Sequence, residues 1–150
     1  MKILFDTRIV VDLLGKTRYF AEAYTAYDIA LLKKMDVFLS ASSTTDIVYL
    51  LHSRGFSSKK KAREAAAQLT ELFDILDITP TDCRRAALSP MPDYEDALIT
   101  HAAERQNVDF IIARNKKDFA HSPVPALTPT EFVGIYKPTC LDYEEIEPAE

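Results

Sequence analysis

The sequence predicts an α/β fold in which a parallel sheet is covered by helices on both faces. Three observations predict it. Short apolar runs of strand length alternate with longer stretches of helical spacing along the chain, the pattern of successive βα units. The opening run Lys2-Ile3-Leu4-Phe5 stops at Asp6-Thr7, and a second apolar stretch, Ile9 to Leu14, begins almost at once, which reads as strand, tight turn and helix. Only three glycines occur in 150 residues, too few for an all-β fold of tight hairpins or for a glycine-rich phosphate loop.

Each element follows in turn. Residues 2–6 form the first strand and 8–14 a short helix. Arg18 to Lys34 reads as a second helix, with Phe20, Ala23, Tyr27, Ala30 and Leu31 on one face and Lys33 and Lys34 at its negative end. Val37 to Leu39 is strand two. Ser42 or Ser43 is expected to cap a helix running to Arg54, which Gly55 stops. Ser57 or Ser58 caps the next, to about Leu72. Residues 73–78 make strand three, and Thr79-Pro80 opens a helix to Leu88 with proline at its favoured first position. After the break at Ser89-Pro90-Met91-Pro92, Asp93 caps a helix from Tyr94 to Gln106. Asp109 to Ala113 is strand four. Val124 to Leu127 is an edge strand flanked by prolines, and Thr128-Pro129 opens a last helix to Tyr136.

One domain, residues 1–137, accounts for this pattern, with an acidic and mobile tail at 138–150. The hydrophobic share of 47% supports a real core. Cys83 and Cys140 match no zinc spacing and read as free thiols of a cytoplasmic protein. Lys2, Asp6, Arg8 and Asp12 argue against a secretory signal, and no apolar run is long enough to make a membrane a partner. The net charge of −5 resides in Asp142, Glu144, Glu145, Glu147 and Glu150, so the rest of the chain is formally neutral and does not exclude a polyanionic partner.

The acids then carry the argument. Asp6 ends strand one, Asp46 lies in the first turn of the helix after strand two, Asp96 in the first turn of the helix leading to strand four, and Asp118 in the loop after it. Strand ends and following helix starts share one edge of a parallel sheet, and that edge holds the functional crevice; Asp96 reaches it only if its helix also starts there, as a right-handed crossover into strand four requires. Each acid also has a capping explanation, including capping boxes for Ser43 with Asp46 and Asp93 with Asp96. Together, four carboxylates on one edge repel one another and call for a cation. Oxygen ligands without His or Cys favour Mg²⁺ or Mn²⁺ over zinc. His52, His101 and His121 form no helical metal pair and are given no catalytic role.

At these residues the chain resembles the PIN domain family, in particular the bacterial branch often paired with antitoxins. The resemblance rests on Asp6-Thr7 with Asp12, Thr45-Asp46, Pro92-Asp93-Tyr94-Glu95-Asp96-Ala97-Leu98, Arg114-Asn115-Lys116-Lys117-Asp118-Phe119, and Ser122-Pro123-Val124-Pro125 leading into Leu127-Thr128-Pro129 and Glu131-Phe132. It implies a three-layer α/β/α sandwich with a five-stranded parallel sheet and a metal-dependent ribonuclease acting on single-stranded RNA, the toxin of a type II toxin–antitoxin pair. The catalytic and metal-holding residues it implies are Asp6, Asp46, Asp96 and Asp118. Arg8, Arg114, Asn115 and Lys116 are expected to meet the substrate. Two departures stand out: Arg8 occupies a position where similar relatives carry Asn, and Ala113 one where a hydroxyl residue is common. Arg8 keeps open a second reading, a catalytically weakened module that binds RNA or protein. An antitoxin and a second copy of the chain are the expected protein partners, and Tyr49, Leu50, His52 and Phe56 on the helices around 42–72 offer a surface for self-association or for the antitoxin. Tyr94 is a candidate for base stacking.

Overall fold

A computed structural model describes residues 1–139; most of the expected acidic tail lies outside the described residues. Five strands, β1 (Lys2–Phe5), β2 (Asp36–Ser40), β3 (Asp74–Leu76), β4 (Phe110–Ile112) and β5 (Ala126–Leu127), form one parallel sheet in the order β3-β2-β1-β4-β5. Seven α-helices are present among the described residues: α1 (Thr7–Gly15), α2 (Phe20–Leu32), α3 (Ala41–Ser53), α4 (Lys59–Leu72), α5 (Pro80–Ala87), α6 (Tyr94–Arg105) and α7 (Pro129–Tyr136).

The pleat of β1 sorts the core. Ile3 and Phe5 point into one apolar cluster with α1, α2, α3, α4 and α7, while Leu4 points into a second with α5 and α6. The result is the expected three-layer sandwich. β1 is central: Ile3 stands opposite Val37 of β2 on one side and Phe110 of β4 on the other. Successive connections run outward from β1 to β2 and β3, then return to β4 and β5. The order therefore reverses between β1 and β4, and connections diverging there leave a crevice beyond the strand ends.

Local chemistry sets the boundaries. Gly55 takes φ 75° just beyond α3 and ends it, as its sequence position suggests. Ser58 caps α4 by accepting from the Lys61 amide. Thr79 with Asp82, and Thr128 with Glu131, form full capping boxes, each followed by proline. Two starts differ from expectation. α2 begins at Phe20 rather than Arg18, because the Thr17 hydroxyl donates to Asp12 at 2.6 Å and holds the chain in a turn there. α3 is capped by Ser40, whose oxygen accepts from the Ser42 amide, so Ser43 is not a cap and Asp46 falls in the second turn. Ser43 is instead buried against Thr7.

One long-range ion pair braces the sandwich. Asp12 of α1 is only 1% exposed, and both its oxygens accept from one guanidinium nitrogen of Arg114 at 2.7 Å. The Arg114 guanidinium also lies 4.0 Å from the centre of the Tyr19 ring. The pair joins α1 to the segment just after β4.

Candidate active site

A cleft of about 490 Å³ opens at the crevice beyond β1 and β4. All four acids singled out in the sequence line it: Asp6, Asp46, Asp96 and Asp118. Asp6 is placed by the end of β1 and stands at the N-cap of α1 in extended conformation, yet its carboxylate makes no capping hydrogen bond. Asp96 sits in the first turn of α6, where Asp93 caps the helix by accepting from the Asp96 amide at 2.9 Å. Asp118 lies in a short 3₁₀ turn, Lys116–Phe119, that follows β4.

Two further acids line the cleft: Asp93, which the sequence places only as a helix cap, and Glu95, to which sequence reasoning gives no role. The Glu95 Oε1 lies 3.1 Å from the Thr7 hydroxyl. That hydroxyl is also 2.8 Å from the oxygen of Ser43. Thr7 has one proton, so when it donates to Glu95 the Ser43 hydroxyl donates to Thr7. The signal was in plain view: Glu95 adjoins Asp96 in a first helical turn, and Thr7 adjoins Asp6.

The electrostatics are those of crowded, half-dry acids. Burial pushes Asp6 up to about 6; the amides of Thr7 and Arg8 and the Arg8 charge oppose this, while Glu95 adds to it. Burial, then the neighbouring Asp46 carboxyl, pushes Glu95 up to about 7 against the Thr7 hydrogen bond. Burial, then the charges of Asp6, Asp93 and Asp118, pushes Asp96 up to about 7, and Arg8 opposes this too.

The expected basic residues divide. Arg8 is exposed on the cleft wall, close enough to favour ionised Asp6 and Asp96 but without an ion pair to either among the described residues. Asn115 lines the cleft. Arg114 does not, because Asp12 and Tyr19 hold its guanidinium. Lys116 is also absent from the wall, its ammonium paired with Glu131 at 3.1 Å. Tyr94 is exposed but outside the cleft, where it neighbours Cys83. Tyr49 and Arg54 line the cleft instead, and the sequence reading gave neither a part in the acidic site.

The donor set suits a hard divalent cation. Every acid is an oxygen ligand, three are held partly protonated by burial and mutual repulsion, and the nearest positive charge is not paired with them. Among the described residues no three His, Cys, Asp or Glu side chains stand in closed ligating geometry, so the fit is one of chemistry and charge rather than of a preformed cage.

Fold and cleft together define a class: a parallel α/β domain with an acid-lined crevice where its strand order reverses. Within that class the chain belongs to the PIN domain family, whose model matches residues 2–117 and whose members are generally nucleases. Solved structures agree on the fold. A chain of the VapBC2 complex from Rickettsia felis, bound to a promoter DNA fragment, is 15% identical and superposes with TM-score 0.67 over 85% of this chain and 98% of that one. A chain of a toxin–antitoxin complex from Klebsiella pneumoniae is 26% identical, with TM-score 0.60 over 85% and 97%. A chain of VapBC-1 from nontypeable Haemophilus influenzae is 17% identical, with TM-score 0.62 over 87% and 99%. Comparison with curated protein sequences returned no significant match. No helix among the described residues is long and apolar enough to cross a membrane.

Proposed function

We propose that this protein is a Mg²⁺- or Mn²⁺-dependent endoribonuclease that hydrolyses phosphodiesters of single-stranded RNA, and that it is the toxin of a type II toxin–antitoxin pair. The observation that supports it best is the convergence of Asp6, Asp46, Asp96 and Asp118 in one cleft at the strand-order reversal. Asp6 and Asp96 would hold the ion, with Asp46 and Asp118 completing its surroundings. The ion, when bound, supplies charge neutralisation and a more acidic water. The protein's own groups position the rest. Thr7 fixes Glu95 by its hydroxyl, and Asn115 offers an amide to water or a phosphate oxygen. Arg8 holds a phosphate oxygen at the cleft wall.

The relatives come from toxin–antitoxin complexes, which supports an antitoxin protein as partner. Self-association would use His52 and Phe56, both exposed and neither lining the cleft. The test is incubation of purified protein with labelled single-stranded RNA in EDTA, Mg²⁺ and Mn²⁺. Metal-dependent cleavage lost in Asp6→Asn and Asp96→Asn is the expected result; cleavage unchanged in both variants removes the assignment. A second reading has its own support. Arg8 already offsets Asp6 and Asp96, and the ligands are not closed. Metal-independent RNA binding without turnover would favour a binding module.

A further inference from the structure

Helix α3 lays a single stripe along the cleft. Asp46, Tyr49 and Leu50, at positions i, i+3 and i+4 of one helical face, line it, and so does Arg54 at the C-cap, eight residues beyond Asp46. At about 1.5 Å per residue, Tyr49 stands roughly 4.5 Å and Arg54 roughly 12 Å beyond Asp46 along the helix. The stripe therefore runs from the acids outward: carboxylate, ring, cation.

Neither outer residue is used by the fold. Tyr49 is 68% exposed, the most exposed aromatic side chain among the described residues, and it joins none of the ring pairs that pack Phe5, Tyr27, Phe73, Phe132 and Tyr136. The Arg54 side chain has no ion pair or hydrogen bond among the described residues, whereas Arg85, Arg105 and Arg114 each hold a carboxylate. Among the described residues Arg8 and Arg54 are the two cations on the cleft wall, facing six carboxylates. A polyanion entering such a cleft needs both. An unpaired base meeting Tyr49 finds an open ring face.

We propose that Tyr49 and Arg54 form the track for the single strand, with Tyr49 stacking a base beside the scissile phosphate and Arg54 gripping a phosphate farther out along α3. The track makes the site selective for unpaired strands, because a duplex offers no free base face to Tyr49. Repeating phosphate and base match the order of ring and cation along the stripe, which favours RNA over a protein segment. The inference rests on the ribonuclease reading for its substrate, and its test separates the two.

The probe is a short 5′-labelled single-stranded RNA followed by fluorescence anisotropy in EDTA and in Mg²⁺, with a duplex of the same sequence beside it. Tyr49→Ala is expected to weaken single-strand binding by about 5- to 100-fold and Tyr49→Phe to preserve it. Arg54→Ala is expected to weaken it by roughly tenfold and to lower the slope of log K against log salt by about one. In cleavage assays Tyr49→Ala raises KM with kcat retained. If wild type cleaves and Tyr49→Ala shows unchanged KM and affinity, the track is wrong and the nuclease stands. Binding lost in Tyr49→Ala without any cleavage by wild type keeps the track and removes the nuclease. No single-strand binding by wild type, or a dimer that Tyr49→Ala dissociates while RNA affinity holds, overturns the track.

Discussion

Asp6 sits where burial opposes its own charge. At 8% exposure it is lifted to about 6, so at pH 8 the metal-free fold holds an ionised carboxylate in poor solvation. Asp6→Asn removes that charge and is expected to stabilise the metal-free protein at pH 8 by on the order of 2–3 kcal/mol, read as a Tm rise of several degrees in EDTA. The same variant is expected to lose most of the Tm gain that Mn²⁺ gives wild type. A wild type that gains nothing from Mn²⁺ would count against cation binding at this carboxylate. Some of this was legible residue by residue. Asp6, Asp46 and Asp118 are expected at the cleft because strand ends and following helix starts share an edge, whereas Asp96 reaches it only because α6 also starts there. Glu95, Tyr49 and Arg54 were not read that way, because their part depends on which side of a helix faces the crevice. Arg114 was read as a substrate contact because its partner, Asp12, lies 102 residues away and no local pattern announces the pair.

At the scale of elements, the Asp12–Arg114 pair holds α1 against the end of β4, the two elements that flank the cleft floor. Asp12 is buried, so removing Arg114 leaves its charge with no counter-ion and only the Thr17 hydroxyl to solvate it. Arg114→Met is expected to cost about 3 kcal/mol in urea unfolding. Asp12→Leu in the same background should recover part of that loss, since no unpaired charge then remains. Equal stability of wild type and Arg114→Met would show that the brace contributes nothing. Helix ends were the best-read features. Thr79-Pro80, Thr128-Pro129, Asp93 and Gly55 act where they were placed, because capping is local chemistry. The start of α3 was misplaced by a run of adjacent hydroxyls, Ser40, Ser42 and Ser43, any of which can cap. Burial of Ser43 against Thr7 left the role to Ser40.

For the molecule as a whole, the three raised carboxyls set the pH response. Asp6, Glu95 and Asp96 hold protons up to about 6, 7 and 7 when folded, but release them near their ordinary values of 3.8, 4.5 and 3.8 when unfolded. Between those limits the native state binds more protons, so stability falls as pH rises from about 4 to about 7. Asp82 acts oppositely. Burial raises it, but the hydrogen bonds from Arg105 and Thr79 outweigh burial and hold it low, so its contribution is lost only as the medium becomes strongly acidic. Melting in EDTA across pH should therefore show a maximum on the acid side of neutrality, near about pH 4, and Mg²⁺ should move it upward. A metal-free maximum at pH 8 would contradict this. The layered architecture was foreseeable from alternating periods, while the strand order was not, since each strand's apolar run is compatible with several neighbours.

The position of β1 between an early and a late strand has a consequence for synthesis. On the ribosome β2 emerges soon after β1, but β4 arrives more than seventy residues later, so one edge of the central strand waits without its neighbour. Arg114 reaches Asp12, and Asp118 joins Asp6, only after that edge is closed. A nascent or truncated chain thus has no complete cleft until nearly all of the described residues have been translated.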